Sequence, residues 1–268
     1  MSESHFYVHL PSDSSLTVYP DNTIAKYVTK LSKNIDLDGQ YEVGLSEIIY
    51  PTNYFNLDNR EKVYKFWIQT ETDDVLTKKR LVRSGCYKSV NDFLTSFNKQ
   101  ITNEFIDKEL PNNCVRFTAD DDRLVLRTSS NVVGTFFALS PKLAKRLGYE
   151  EEQVKLVPLN DTLRIRAKNS FELDMGKNLM YVYADIISHS IVGDVSAPLL
   201  RVCNLPTSST ERSIHLSFTD IHYKPVHKTH FESIAISINT ETGELMPFQS
   251  GKVLLTLHFR RVHNLPLR

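Results

Sequence analysis

Nine histidines are the most conspicuous chemistry-bearing side chains of this 268-residue sequence, and the densest group is His222, His227 and His230 around Tyr223-Lys224-Pro225. A structural zinc site needs four ligands at characteristic short spacings. These three match no such motif and read as solvent-facing loop or strand histidines. Asp120-Asp121-Asp122 concentrates carboxylate oxygens, which suits calcium, but the run lacks the spacing and the glycine of an EF-hand loop and reads as a solvated hairpin turn. Cys86, Cys114 and Cys203 are odd in number and far apart, without a C-x-x-C pair. They fit plain thiols in a reducing compartment.

No G-x-S-x-G elbow, phosphate-binding glycine loop, dinucleotide glycine fingerprint or H-E-x-x-H pair occurs. Ser, His and Asp are plentiful but dispersed. No catalytic, cofactor-binding or metal-ligating residue is therefore assigned, and the expectation is a protein that is not an enzyme. Lys+Arg and Asp+Glu both number 32, giving a formal net charge of +0. No global field draws in nucleic acid or an anionic membrane. Lys30 and Lys33, with Lys78-Lys79-Arg80, are the best case for nucleic-acid contact, and acidic residues intervene throughout. The opening residues lack a basic segment followed by an apolar one, and no stretch reaches the roughly 20 apolar residues of a membrane helix. The expectation is a soluble intracellular product with neither signal peptide nor membrane span.

The elements that would carry these residues are mostly strands. Tyr27, Leu31, Ile35 and Leu37 alternate with polar residues, Asp38-Gly39 gives a hairpin turn signal, and Tyr41, Val43 and Leu45 resume the alternation until Pro51. An antiparallel hairpin is expected there, with Gly44 allowing another backbone to approach closely. Residues 63–69 alternate again. Helical periodicity then appears: Ser89 with Asp92 resembles a capping box, followed by Val90, Phe93, Leu94, Phe97, Ile101 and Phe105. A hairpin around Asp120-Asp122 and a short helix from Ser140-Pro141 to Gly148 complete a small α+β subdomain.

Strand character returns after Gly176, with segments expected at 179–187, 199–205, 214–223, 231–238 and 245–248. The last strand carries Val253, Leu255, Leu257 and Phe259 inward and Lys252, Thr256, His258 and Arg260 outward. The expected architecture is mainly β: an eight-stranded jelly-roll sandwich formed by residues 1–70 and 176–268, interrupted by an inserted α+β subdomain at 71–175.

Several segments carry a family likeness. At the N-terminus these are Leu10-Pro11-Ser12, Asn22-Thr23, Leu31, Leu37 with Gly39, and Glu42-Val43-Gly44-Leu45 with Glu47 and Pro51. In the C-terminal half they are YVYADI (181–186), VGD (192–194), PLLRV (198–202) and LHFR (257–260). In these the chain resembles the minor capsid, or penton, proteins of Polinton (Maverick) transposons and their virus and virophage relatives. Tyr41 stands where that family has tryptophan, keeping an aromatic ring. The resemblance implies a structural capsid protein of the virion, a homopentamer at five-fold vertices among trimeric double-jelly-roll major capsid proteins. It also implies structural or assembly roles for Pro11, Asn22, Gly39, Gly44, Glu47, Pro51, Gly193, Asp194 and Arg201. Asp194 and Arg201 are expected to pair with each other or to meet a neighbouring subunit, where arginine's planar donor fork is favoured. The alternative function is a jelly-roll binding module that recognises a receptor, glycan or peptide, with a host surface ligand as a further partner.

Overall fold

The computed structural model describes residues 4–54, 57, 63–70, 74–76, 80–87, 89–106, 115–128, 132–150, 153–156, 164–172, 179–205 and 211–262. Cys114, Lys78 and Lys79 lie outside these described residues. The chain divides into two compact units, one of residues 1–54 with 177–268 and one of residues 55–176. The division falls near residue 54, not 70. Strand Val63–Thr70 pairs along most of its length with Val132–Leu139, inside the second unit, so its hydrogen bonds and not its sequence position decide where it belongs.

Among the described residues the first unit is a sandwich with eight longer strands: β1 (His5–Pro11), β2 (Lys26–Asp36), β3 (Tyr41–Pro51), β4 (Leu179–Ala184), β5 (Leu199–Asn204), β6 (Ser213–Ser217), β7 (His230–Asn239) and β8 (Leu254–Arg261), and the two-residue strand Lys224–Pro225 also pairs with β3. One sheet has the order β1-β8-β3-β6 and the other β5-β4-β7-β2. This interleaving, with first and last strands adjacent, is that of a jelly roll. The inner faces follow from side-chain alternation: Phe259, Leu257 and Leu255 of β8 lie opposite Phe6, Val8 and Leu10 of β1. From the other sheet Met180, Val182, Ile234, Ile236 and Ile238 join the same buried core. Each fully buried side chain of this size contributes about 1.5–3 kcal/mol. Two tyrosines also tie the sheets across the core. The Tyr27 hydroxyl donates to Leu10 O at 3.0 Å and the Tyr50 hydroxyl to Asn204 O at 3.2 Å.

Several sequence expectations change at this level. Asp38-Gly39 does not close a hairpin, because β2 pairs with β7 while β3 pairs with β8 and β6. The turn carries the chain across from one sheet to the other, with Gly39 at φ +100°. Both kinds of connection join two alternating strands through a tight turn, so alternation does not separate them. Strand β1 was not among the expected segments, although Phe6, Val8 and Leu10 alternate. The segment 245–248 makes isolated bridges, from Leu245 to Asn239 and from Phe248 to Tyr54, instead of a strand. The segment expected at 214–223 stops as a strand at Ser217. In β3 the inward set shifts from odd to even positions, Val43 and Leu45 giving way to Ile48 and Tyr50, because Ser46 is a bulge against β8.

The second unit carries a sheet of Gln153–Leu156, Val132–Leu139, Val63–Thr70 and Asp74–Leu76, with Arg80–Leu81 also on Val63–Thr70. A three-stranded sheet of Arg164–Arg166, Arg123–Thr128 and Val115–Asp120 accompanies it. Helix α1 (Val90–Ile106) begins where the Ser89 hydroxyl accepts from Asp92 N at 3.1 Å, and buries Phe93, Leu94, Phe97, Ile101 and Phe105. Asn98 fixes it to the second sheet through a reciprocal pair with the Phe117 backbone, at 2.8 and 2.9 Å. Helix α2 (Pro141–Arg146) is stopped by Gly148 at φ +81°, where a Cβ would lie 2.1 Å from Asn169 O.

Gly44 is the most closely covered of the described glycines in the sandwich unit. A Cβ there would lie 2.3 Å from Ile221 Cγ2 and 2.9 Å from His222 O, so the segment after β6 crosses the outer face of β3 directly over this glycine. Gly44→Ala is expected to lower stability by about 1–3 kcal/mol, the cost of inserting a methyl group into a filled space. Urea unfolding of the variant beside the parent protein measures it.

Candidate functional site

The candidate residues divide between those that shape the sandwich and those that face outward. Asn22 belongs to the first group. Its Nδ2 donates to Val28 O at 2.9 Å and to Ser14 O at 3.2 Å, while its Oδ1 accepts from Val28 N at 2.9 Å. The amide thus imitates a strand neighbour for β2, an edge strand of its sheet, and caps polar groups that would otherwise be open to a second chain. Ser15 extends the cover by accepting from Lys30 N at 2.9 Å. Pro11 ends β1 opposite Leu254. Pro51 is buried at the end of β3, and a Cβ on Gly251 would lie 3.1 Å from it. At Gly39 a Cβ would sit 3.0 Å from Arg261 Nη2. Glu47 faces outward, with Thr256 Oγ1 donating at 3.5 Å and His215 Nε2 lying 3.9 Å away.

Gly193 and Asp194 form the two-residue turn of a hairpin between β4 and β5, in which Ser190–Val192 pairs with Val195–Ala197. Gly193 has φ +63° and a Cβ there would meet nothing within 4 Å, so the tip stands in open space. The hairpin carries Ile191, 88% exposed, and Val195, 56% exposed. Two strands alone are marginal in water, and both apolar side chains lie largely in solvent in the single chain. Arg201 is engaged elsewhere and not with Asp194. Its Nη1 donates to Asp220 O at 2.8 Å and its guanidinium lies 3.8 Å from the centre of the Phe218 ring. Exposure of Ile191 and Val195 was missed by sequence reasoning, although both flank the VGD turn.

A groove of about 500 Å³ opens at the side of β2, lined by Tyr19, Asn22, Lys26, Tyr27, Asp185 and Pro198 among others. Asp185 is already committed within the protein: Oδ1 accepts from Ala235 N at 2.8 Å and Oδ2 from Lys228 Nζ at 2.6 Å.

The histidines, clustered carboxylates and cysteines do not converge among the described residues. His230 Nδ1 pairs with Asp36 at 2.5 Å and His222 Nε2 lies 3.7 Å from Asp220. Among the described residues no three His, Cys, Asp or Glu side chains group as metal ligands. The acidic turn is answered by arginines: Asp120 pairs with Arg164 at 2.7 Å, and Arg166 reaches both Asp120 and Asp121 at 3.7 Å. The Ser170 hydroxyl donates to Asp122 and, with weaker help from Arg123 and Arg166, holds that carboxyl below its usual range. Burial pushes the Cys203 thiol up to about 12, which leaves it an unreactive core group. Arg80, from the basic run, pairs with Glu104 at 2.7 Å. Tyr41 is buried against Phe6 at 6.2 Å between ring centres, so an aromatic serves the core at that position.

No protein-family model matches the chain, and no curated protein matches it by sequence. Solved structures do. The mavirus penton protein superposes with a TM-score of 0.56 at 15% identity, covering 97% of this chain and 100% of that one. A chain of the Sputnik virophage, from its 3.5 Å cryo-EM structure, superposes at 0.50 with 12% identity, covering 97% and 98%. The likeness establishes a shared fold over nearly the full length, insertion included.

Asn22→Ala removes three hydrogen bonds and uncovers the edge of β2 at Val28. A loss of about 1–2 kcal/mol is expected, because the remaining Val28 groups regain water on one side. Thermal unfolding measures it, and an unchanged midpoint would remove Asn22 from the structural set.

Proposed function

We propose that this protein is a structural capsid component, a penton closing the five-fold vertices of an icosahedral shell as a homopentamer among trimeric double-jelly-roll major capsid proteins. The observation that carries this reading is the full-length likeness of an interleaved eight-strand sandwich with an insertion between β3 and β4 to the mavirus penton protein. The reading assigns it no catalytic role and locates it in the virion.

A closed ring needs two different complementary surfaces on each subunit, since every contact is head-to-tail. The hairpin of residues 190–197 supplies one candidate, an apolar projection with Ile191 and Val195 free to enter a neighbour. A net charge of +0 limits long-range repulsion among five crowded copies. The same neutrality, together with the ion pair that occupies Arg80, argues against genome coating. No helix among the described residues is long and apolar enough to cross a membrane. The binding-module reading has a definite place to be tested, the groove beside β2, and it is compatible with a vertex position that also meets a host surface.

Native mass spectrometry and negative-stain images of the purified protein should show a closed ring of five. The double variant Ile191→Asp, Val195→Asp should keep the parent's thermal midpoint at concentrations where both are monomeric, because both side chains are exposed in the single chain, yet shift the population toward monomer where the parent forms rings. A ring as abundant in that variant as in the parent would take the hairpin out of the interface.

A further inference from the structure

Five of the nine histidines, His5, His9, His215, His222 and His258, gather on or over the outer face of the sheet β1-β8-β3-β6. His258 is at the centre of this group. It lies opposite Tyr7 on β1 and opposite Gly44 on β3. The Tyr7 ring stacks on it at 4.5 Å and the His5 ring meets it edge-on at 5.6 Å. From above, Tyr223 brings its hydroxyl to His258 Nδ1 at 2.7 Å. Nε2 is buried, with no hydrogen-bond partner among the described residues.

Tyr223 belongs to the segment that crosses over Gly44. That segment is fastened at one end by Phe218 N to the Ser46 bulge carbonyl, at 2.8 Å, and at the other by Val226 N to Tyr41 O, at 2.9 Å. Between these anchors Lys224 and Pro225 pair with Val43 and Glu42 and fill the edge of β3 that β6 leaves uncovered. We propose that residues 219–225 are an acid-released strap, docked by neutral His258 and freed when that imidazole gains a second proton.

Cations and carboxylates both surround His258, and the nearest contacts disfavour a charge there. His5 and Tyr7 face it from β1, and Arg260 lies on its own strand. Tyr223 comes from the strap, whose other charged or titratable members are Asp220, His222 and Lys224. From β3 the outer-face carboxylates are Glu42, which Arg260 binds, and Glu47, which meets Thr256 and His215. Arg260 also lies 3.5 Å from the centre of the Tyr223 ring, so a second cation at His258 would form beside an existing one. A charged ring carries N–H at both nitrogens, so Tyr223 could then only accept at Nδ1, and the buried Nε2 N–H would hold its share of the charge without an acceptor. Burial first, then His5 and Arg260, hold His258 below the ordinary imidazole value.

Docking favours the neutral ring, so the strap is fully held above the free imidazole value of about 6.5. It loosens as pH falls below that value, until His258's own lower value is passed. Release would open the backbone of β3 beside Val43, leaving a strand edge able to accept another chain. The device is independent of the capsid reading, since it depends on contacts within one copy.

Amide hydrogen exchange, corrected for the intrinsic effect of pH, tests it at Lys224, with Ile236 in β7 as the core reference. Protection at Lys224 should fall by up to about tenfold for each pH unit below 6.5, while Ile236 is unchanged. His258→Asn keeps an acceptor for Tyr223 but has no proton to gain, and its Lys224 protection should not vary with pH. If that variant does not fold, Tyr223→Phe serves, with protection already low at pH 7.5 and the slope gone. A pH slope that persists in either variant, or a flat profile in the parent, would overturn the proposal.

Discussion

The register of β8 between β1 and β3 is the constraint on which the sandwich unit rests. Phe259, Leu257 and Leu255 point into the core, facing Phe6, Val8 and Leu10 on one side and Val43, Leu45 and Ile48 on the other. A slip of one residue on either side would bury Arg260 and His258 and expose those apolar side chains. This ladder joins a strand from the start of the chain to one from its end. The 55–176 unit can therefore lie between β3 and β4 without supplying any strand of the sandwich sheets.

The same register separates an inner face that stabilises from an outer face with work left to do. On the inner side the tyrosine hydroxyls of Tyr27 and Tyr50 are spent on backbone carbonyls of the opposite sheet, and burial raises both above the usual phenol value. The outer side carries protonatable and ionic groups, with Gly44 left bare so that the strap can pass. Edges are managed locally: Asn22 and Ser15 cover part of β2, and Lys224-Pro225 covers β3 at Val43. The hairpin at Gly193-Asp194 is the conspicuous exception, projecting Ile191 with its side chain almost wholly in water.

Much of the core was legible in the sequence because alternation reports burial directly. Val253, Leu255, Leu257 and Phe259 are all fully buried. Helix α1 is legible for the same reason at a different period, with Phe93, Phe97, Ile101 and Phe105 on one face. Pairing partners are another matter. Asp38-Gly39 looks alike whether it closes a hairpin or turns a corner between sheets, and 63–70 alternates alike in either unit. Ser46 shifts the phase of β3 without a marker of its own, since a bulge is defined by the facing strand. Of the candidate residues, Gly44 was legible in its role, as a glycine inside a strand pattern implies close approach. Asn22's reciprocal pair with Val28 and the commitment of Arg201 to Asp220 and Phe218 depend on loop conformations that no local pattern encodes. The family likeness marked both positions without supplying those contacts.

The central claim is that the two terminal segments form a self-sufficient jelly roll and that this sandwich is the body that assembles. Native mass spectrometry of a chain in which a short Gly-Ser linker replaces residues 55–176 addresses it most directly. The account predicts a cooperatively folded, β-rich protein that appears at five times the mass of its own chain. An unfolded product, or a folded monomer under conditions where the full chain forms rings, would contradict it.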